Sequence, residues 1–248
     1  MRLDGRVRPF FPTHFLRVFS LNTVFRPTSK VDDAALRAVT RREAILDAAI
    51  RLFATRGYAE ADLQVLADEL DIGKGTLYRH FGSKEKLFLA AADQVMRRIH
   101  EHITAVTVKI EDPLSRIETG IHAYFQYFAG HPESVEMLIQ ERALFRDRKH
   151  PTYFVHREAN LDRWRSLYRD LIGSGRVRDI PVEQILDTMG DLLYGAMFVG
   201  YLVGRREEPS AVAARIINIV FGGILTDNEL QARKIASKPR RVPSRKKS

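Results

Sequence analysis

"DIGKGTLYRHFGSKEKLF", Asp71 to Phe88, sets a lysine between two glycines and follows it with threonine, tyrosine, arginine and histidine. Two chemistries use such a stretch. A nucleotide-binding loop cradles phosphates with glycine amides and needs G-x-x-x-x-G-K-[ST] between a strand and a helix. A helix-turn-helix needs two short helices, a tight turn, and outward side chains on the second helix that enter a DNA groove. Here Asp68 stands at the loop's first-glycine position, Gly75 at its hydroxyl position, and a helical pattern precedes the stretch. The nucleotide loop fails on all three counts, and the helix-turn-helix fits.

Working upstream, Thr40 with Glu43 three residues on forms a capping box, and Ile45, Ala48, Ala49, Leu52 and Phe53 share one face. This predicts a helix opening at Thr40 and stopping at Gly57, a residue suited to left-handed geometry. A second helix is expected over about Asp62 to Leu70, with Leu63, Leu66, Ala67 and Leu70 inward. A third is expected over Lys74 to Phe81, and Ser83 caps a fourth that continues through Leu87, Ala91 and Val95.

The run "TRREAILDAAIRLFATRGY", then "LADELDIGKGTLYRHFGSKEKLF", resembles the DNA-binding domain of the TetR/AcrR family of transcriptional regulators over about residues 40–90. The resemblance implies an all-helical fold of about nine helices: three N-terminal helices for DNA, the rest for ligand binding and dimerisation. It implies that Tyr78 and Lys84 contact phosphates and that Lys74, Thr76 and Arg79 face the groove; His80 is a further DNA-binding candidate on the same helix. Gly75 would let the helix approach DNA closely, and Arg41 and Arg42 would lie within reach of the backbone. A structural reading makes Tyr78 and Phe81 partly core and Lys84 plain surface. Three positions depart from the family pattern. Ala61 and Asp62 stand where a capping Thr is usual, and Asp62 would cap yet repel a phosphate. Asp71 replaces a turn glycine but tolerates left-handed geometry. Gly73 replaces a common Ser and removes one hydroxyl donor.

Downstream the periodicity stays helical, and no segment reads as a strand. Asp112-Pro113 starts a helix ended by Gly130-His131-Pro132; others follow over about 132–145, 153–173, 182–203 and 210–225. The last two are apolar over most of their circumference, which requires burial on every side. Pairing with a second copy meets that need, and the resemblance implies a four-helix dimer interface. Gly190, Leu193, Met197, Phe198, Tyr201, Ile217 and Phe221 are the candidate seam. An intramolecular core is the alternative. Tyr124, Phe125, Phe128, Trp164, Tyr168 and Tyr194 are candidates to line a ligand pocket, although core packing explains each equally well.

Charge and composition bound the rest. Of the net +9, residues 1–30 carry +5 and residues 232–248 carry +8, which leaves −4 on residues 31–231. The ends read as a basic arm over 1–36 and a disordered basic tail over 229–248, around a helix-turn-helix domain at 37–84 and a helical domain at 85–228. Such ends either attract phosphate non-specifically or are simply solvated. The absence of cysteine excludes disulfides and thiolate chemistry. No apolar run reaches the length of a membrane helix and no signal peptide is evident, so a cytoplasmic protein without a membrane partner is expected. His100 and His102 are two apart on a helix, a poor metal pair, and no activated nucleophile or acid–base pair appears. No metal, cofactor or enzymatic activity is expected.

The expectation is therefore a ligand-responsive regulator, a repressor by resemblance, that binds palindromic double-stranded operator DNA as a homodimer and is released by a small-molecule effector. The alternative is a helical small-molecule-binding or enzymatic domain without specific DNA recognition, indifferent to changes at Lys74 and Tyr78. A non-specific binder driven by the basic ends is a third reading. Against it, residues 31–96 hold nine Arg/Lys to eleven Asp/Glu.

Overall fold

A computed structural model of the chain describes residues 30–205 and 207–236. The described residues form ten α-helices: α1 (Lys30–Glu60), α2 (Leu63–Glu69), α3 (Lys74–Phe81), α4 (Lys84–Thr107), α5 (Pro113–Gly130), α6 (Pro132–Leu144), α7 (Thr152–Gly173), α8 (Val182–Leu202), α9 (Pro209–Ile224) and α10 (Asp227–Ala236). Extended pairing among them is limited to one isolated bridge, Val177 with Leu225.

Several helix starts follow from their caps. Asp62 accepts from the Gln64 amide (2.8 Å), Ser83 from Lys86 (3.1 Å) and Asp112 from Ser115 (2.8 Å). Each fills one of the amides that a helix start leaves without a partner. Thr40 is different. The expected capping box lies inside α1, which begins ten residues earlier at Lys30, and α1 kinks at Gly57 (φ 76°). The basic arm expected over 1–36 thus contributes its last residues to a helix; residues 1–29 lie outside the described residues.

The first core gathers Leu46, Phe53, Leu66, Leu77 and Phe88 between α1, α2, α3 and the start of α4. α6 reaches into it: Met137 is fully buried there, and Phe145 beyond its end meets Tyr58 and Phe88 edge-on or tilted. Gln140 fixes the contact, donating to the Phe53 carbonyl (3.0 Å) and accepting from the Tyr58 amide (2.9 Å). The second and larger core lies among α4 to α9, around Leu114, Phe125, Tyr168, Leu171, Ile216 and Phe221. α4 borders both cores, so one rigid element runs from the helix-turn-helix to the larger core.

α10 corrects the expected tail, because Asp227–Ala236 is helical where disorder was expected from residue 229. Arg176 reaches both Glu229 oxygens at 3.0 Å and Asp112 at 2.7 Å. Arg233 pairs with Glu118 and lies over the Phe221 ring, 5.3 Å from its centroid. Residues 237–248 lie outside the described residues.

Candidate nucleic-acid interface and the cavity behind it

α2 and α3 are joined by a turn whose left-handed residue is Asp71 (φ 50°), the one described non-glycine at positive φ. The Ile72 amide donates back to the Ala67 carbonyl (3.0 Å), closing α2 before α3 begins at Lys74. α3 then divides cleanly. Leu77 and Phe81 are buried, whereas Tyr78, Arg79 and His80 are exposed, Tyr78 at 43%. Tyr78 therefore stands clear of the core that Phe81 joins.

The cations of the candidate interface are not equally free. Lys74 Nζ donates to Asp62 Oδ1 at 3.0 Å, so the residue that caps α2 also holds the first lysine of α3. The Gln64 amide and then Lys74 lower the Asp62 pKa, and Asp62 raises that of Lys74. Lys84 Nζ donates to the Ala59 carbonyl (3.1 Å) and sits 5.0 Å above the Tyr58 ring, which pins the start of α4 to the end of α1. Arg42 lies 5.2 Å over the Phe81 ring while remaining exposed. Arg41 is exposed, and Arg79 reaches Thr76 Oγ1 at 3.4 Å. At Gly75 an added Cβ would meet nothing within 4 Å, so the chain's own packing does not demand glycine there.

Behind this head, α4, α5, α7 and α8 line a partly open cavity of about 140 Å³. Of the expected lining residues, Tyr124, Trp164 and Tyr168 face it. Phe125 and Phe128 instead line a second, more polar hollow beside α8 and α9. Tyr194 lines neither; it packs against Tyr153, Phe154 and Phe198. The polar lining was missed in the sequence: His100, Tyr153, Arg157, Asn160 and Arg163. A usable signal existed, since Tyr153, Arg157, Asn160, Trp164 and Tyr168 recur at helical spacing and place polar groups on the inward face of α7.

These polar groups form a connected set. Asn160 Nδ2 donates to His100 Nε2 (3.0 Å), and the His100 ring stacks on His156 at 5.9 Å. His156 Nε2 donates to Asp93 on α4 (2.7 Å), and this bond is the largest cause holding the Asp93 carboxyl below its ordinary range. Burial, then the neighbouring His156, lowers the His100 pKa to about 4. A His that accepts from Asn160 is neutral at that nitrogen, which agrees with the lowered value. Tyr124 and Tyr153 share a hydroxyl contact at 3.0 Å, and burial raises both phenols.

The expected dimer seam needs correction. Met197, Ile217 and Phe221 are buried in the chain's own core. Leu193 lines the cavity, and Gly190 makes room for Arg157: a Cβ there would lie 2.6 Å from the guanidinium Nε. Phe198 stacks on Tyr194, and the Tyr201 hydroxyl donates to Glu136 (2.9 Å). The apolar side chains left outside are Leu192, Val199, Leu202 and Val203 on or beside α8, and Ile219 on α9; of the expected seam, Tyr201 stays exposed with them. An added Cβ at Gly195, Gly222 or Gly223 would meet nothing in the chain. No described helix is long and apolar enough to cross a membrane.

In comparison with known proteins, residues 45–91 match "Bacterial regulatory proteins, tetR family". The HTH-type transcriptional regulator YerO of Bacillus subtilis is 30% identical over 73% of this chain and 65% of its own length. The HTH-type transcriptional repressor NicS of Pseudomonas putida is 25% identical over 75% of this chain and 87% of its own length. Among solved structures, the transcriptional regulator FadR of Bacillus subtilis, in complex with stearoyl-CoA, superposes with a TM-score of 0.61 over 73% of this chain and 98% of that one. Its 15% identity carries the fold alone.

Proposed function

We propose, from the match of residues 45–91 to the tetR family of bacterial regulatory proteins and the likeness to YerO, a transcriptional regulator of that family that binds a palindromic operator as a homodimer and is released by a small molecule. The observation that carries this reading is α3, which buries Leu77 and Phe81 and leaves Thr76, Tyr78, Arg79 and His80 along its outer side. In it, Tyr78 and Arg42 meet phosphates, and Thr76, Arg79 and His80 read base edges from the major groove. Lys84, held at the Ala59 carbonyl, presents its charge from a fixed position. Lys74 contributes once it exchanges Asp62 for phosphate.

Recognition by one short helix is weak, so two copies are needed. The apolar residues exposed on α8 and α9 supply the surface for a two-fold pair. Symmetry then sets the half-sites about 34–36 Å apart. A ligand between α4 and α7 favours one setting of α4, the helix that borders both cores. If that setting misplaces the heads, ligand and operator oppose each other by reciprocal linkage. Repression is the mode named for the NicS relative and is the mode proposed here.

Fluorescence anisotropy with DNA from upstream of the chain's own gene tests this, at about 50 and about 200 mM salt beside scrambled DNA. The native sequence should bind more tightly than the scrambled one at both salts. Arg79→Ala should erase the difference between the two DNAs, while Tyr78→Phe weakens both alike. Equal binding to both DNAs, lost on removing residues 237–248, would show that the basic end carries the affinity and sink the operator reading at that site.

A further inference from the structure

We infer that the cavity among α4, α5, α7 and α8 takes a small organic carboxylate, one ring or a short chain bearing one negative charge, and that Arg157 holds the carboxylate. The inference rests on the reading of this cavity as the effector site and adds the ligand's class.

Size comes first. The cavity measures about 140 Å³, close to the engineered cavity of about 150 Å³ that takes up benzene. Its walls are largely apolar, with Ile99, Ile121, Trp164, Met189 and Leu193 among them. A compact hydrocarbon body suits those walls, and burying it supplies the non-specific part of the affinity.

Charge comes second. The lining holds two arginines, Arg157 and Arg163, and no aspartate or glutamate. Arg157 Nη2 is committed to the Leu186 carbonyl (3.1 Å) and Asp187 (3.0 Å). Asp187 is 69% exposed, so solvent weakens its hold. Arg157 Nε and Nη1 make no hydrogen bond within the described residues, and the side chain itself is only 22% exposed. Gly190 is what admits it: a Cβ there would lie 2.6 Å from Nε and 2.7 Å from Nη2. Arg163 is turned elsewhere, over the Trp164 ring (4.8 Å) and to Thr104 (3.0 Å). A neutral ligand that closed the cavity would strip water from Arg157 and return no charge, and a cation would repel it. A carboxylate accepts from the free Nη1 and returns the opposite charge. A purely structural Arg157, tying α7 to α8 through Leu186, would need only the one committed nitrogen.

Trp164 is the chain's single tryptophan and lines the cavity, so its fluorescence reports occupancy without any DNA. Titrations of the full chain with benzoate and hexanoate, their neutral amides, benzylamine and palmitate separate the possibilities. At least one of the two small acids should give a saturable change, at least tenfold tighter than its amide, with no saturation by benzylamine. Which small acid binds tells ring from chain. Arg157→Gln should weaken that acid at least tenfold and leave its amide unchanged. Asp187→Asn, a change to an exposed side chain, should act oppositely and tighten the acid several-fold. Amides that equal their acids, or a preference for benzylamine, would overturn the charge assignment. Palmitate binding without either small acid would overturn the size. Acid binding unaltered by both substitutions would take Arg157 out of the site. If the acid binds yet leaves DNA affinity unchanged, the ligand class stands and release by that ligand falls. If DNA binds and none of the six compounds does, the ligand class falls alone.

Discussion

Asp71 shows how one residue marks both the turn and its cost. Its φ of 50° is a conformation that costs an ordinary side chain about 1–2 kcal/mol and that aspartate tolerates through local hydrogen bonding. Asp71→Ala should lower unfolding stability by about 1 kcal/mol, while Asp71→Gly leaves it unchanged or slightly higher. Denaturant midpoints compare the two, and an alanine variant as stable as the glycine one would remove the strain argument. Asp62 presents the opposite case, a residue whose folding role and binding role conflict. It caps α2 and holds Lys74 at 3.0 Å. Asp62→Asn keeps a capping side chain and frees the lysine. DNA affinity should rise several-fold at low salt, and the salt dependence should steepen by about one phosphate contact. An unchanged slope would mean that Lys74 makes no phosphate contact. The left-handed turn at residue 71 and the cap at 62 were legible in the sequence because both act within a few residues. The Asp62–Lys74 pair spans twelve residues across the turn, and its geometry depends on how α2 and α3 cross.

At the scale of elements, local chemistry again decides what could be read. Helix starts at Leu63, Lys84 and Pro113 follow from caps within the next few amides. The start of α1 was misread because a threonine three residues before a glutamate also occurs inside a helix, where nothing calls on it to cap. α10 was misread because its composition resembles a tail; it is held by Arg176 to Glu229 and Arg233 to Glu118, pairs separated by 53 and 115 residues. The face of α7 was legible as periodicity but not as a cavity, because its partners come from three other helices. That face also carries a pH prediction. His100 folds with its pKa lowered to about 4 by burial and then by His156, against an ordinary value near 6.5. Between those values the unfolded chain holds a proton that the folded chain lacks, so stability falls as pH drops from about 6.5 toward 4, by up to about 1.4 kcal/mol per pH unit. Asp93, lowered chiefly by its bond from His156, adds a loss only below the ordinary carboxylate range. His100→Gln should flatten the upper window and leave the lower one. Denaturant midpoints across about pH 3–7 measure it, and an equal slope in the variant between about 4 and 6.5 would place the titration elsewhere.

For the whole molecule, the decisive question is which face of α8 and α9 would meet the second copy proposed above. The sequence announced that these helices need cover on every side, and it could not say which residues the chain covers for itself. Met197, Ile217 and Phe221 are covered within the chain, whereas Leu202 at 66% and Ile219 at 68% are not. Gly222 and Gly223 beside Ile219 leave room for a partner helix to approach closely. Ile219→Asp should therefore cost the isolated chain little, within about 0.5 kcal/mol, since exposed sites tolerate change. In a two-fold seam the same change sets two carboxylates against apolar walls without partners, and the pair should separate. Sedimentation velocity should then show a single-chain species where the unmodified protein shows a dimer, with unchanged helical circular dichroism. Operator affinity should drop in parallel, because one head loses the gain from its tethered twin. Met197→Asp makes the contrast: it buries a charge inside the chain's own core and should unfold the protein rather than divide it. If Ile219→Asp sediments as a dimer and binds operator unchanged, the seam lies on another face, and the separation of the two heads would have to be rebuilt from that face.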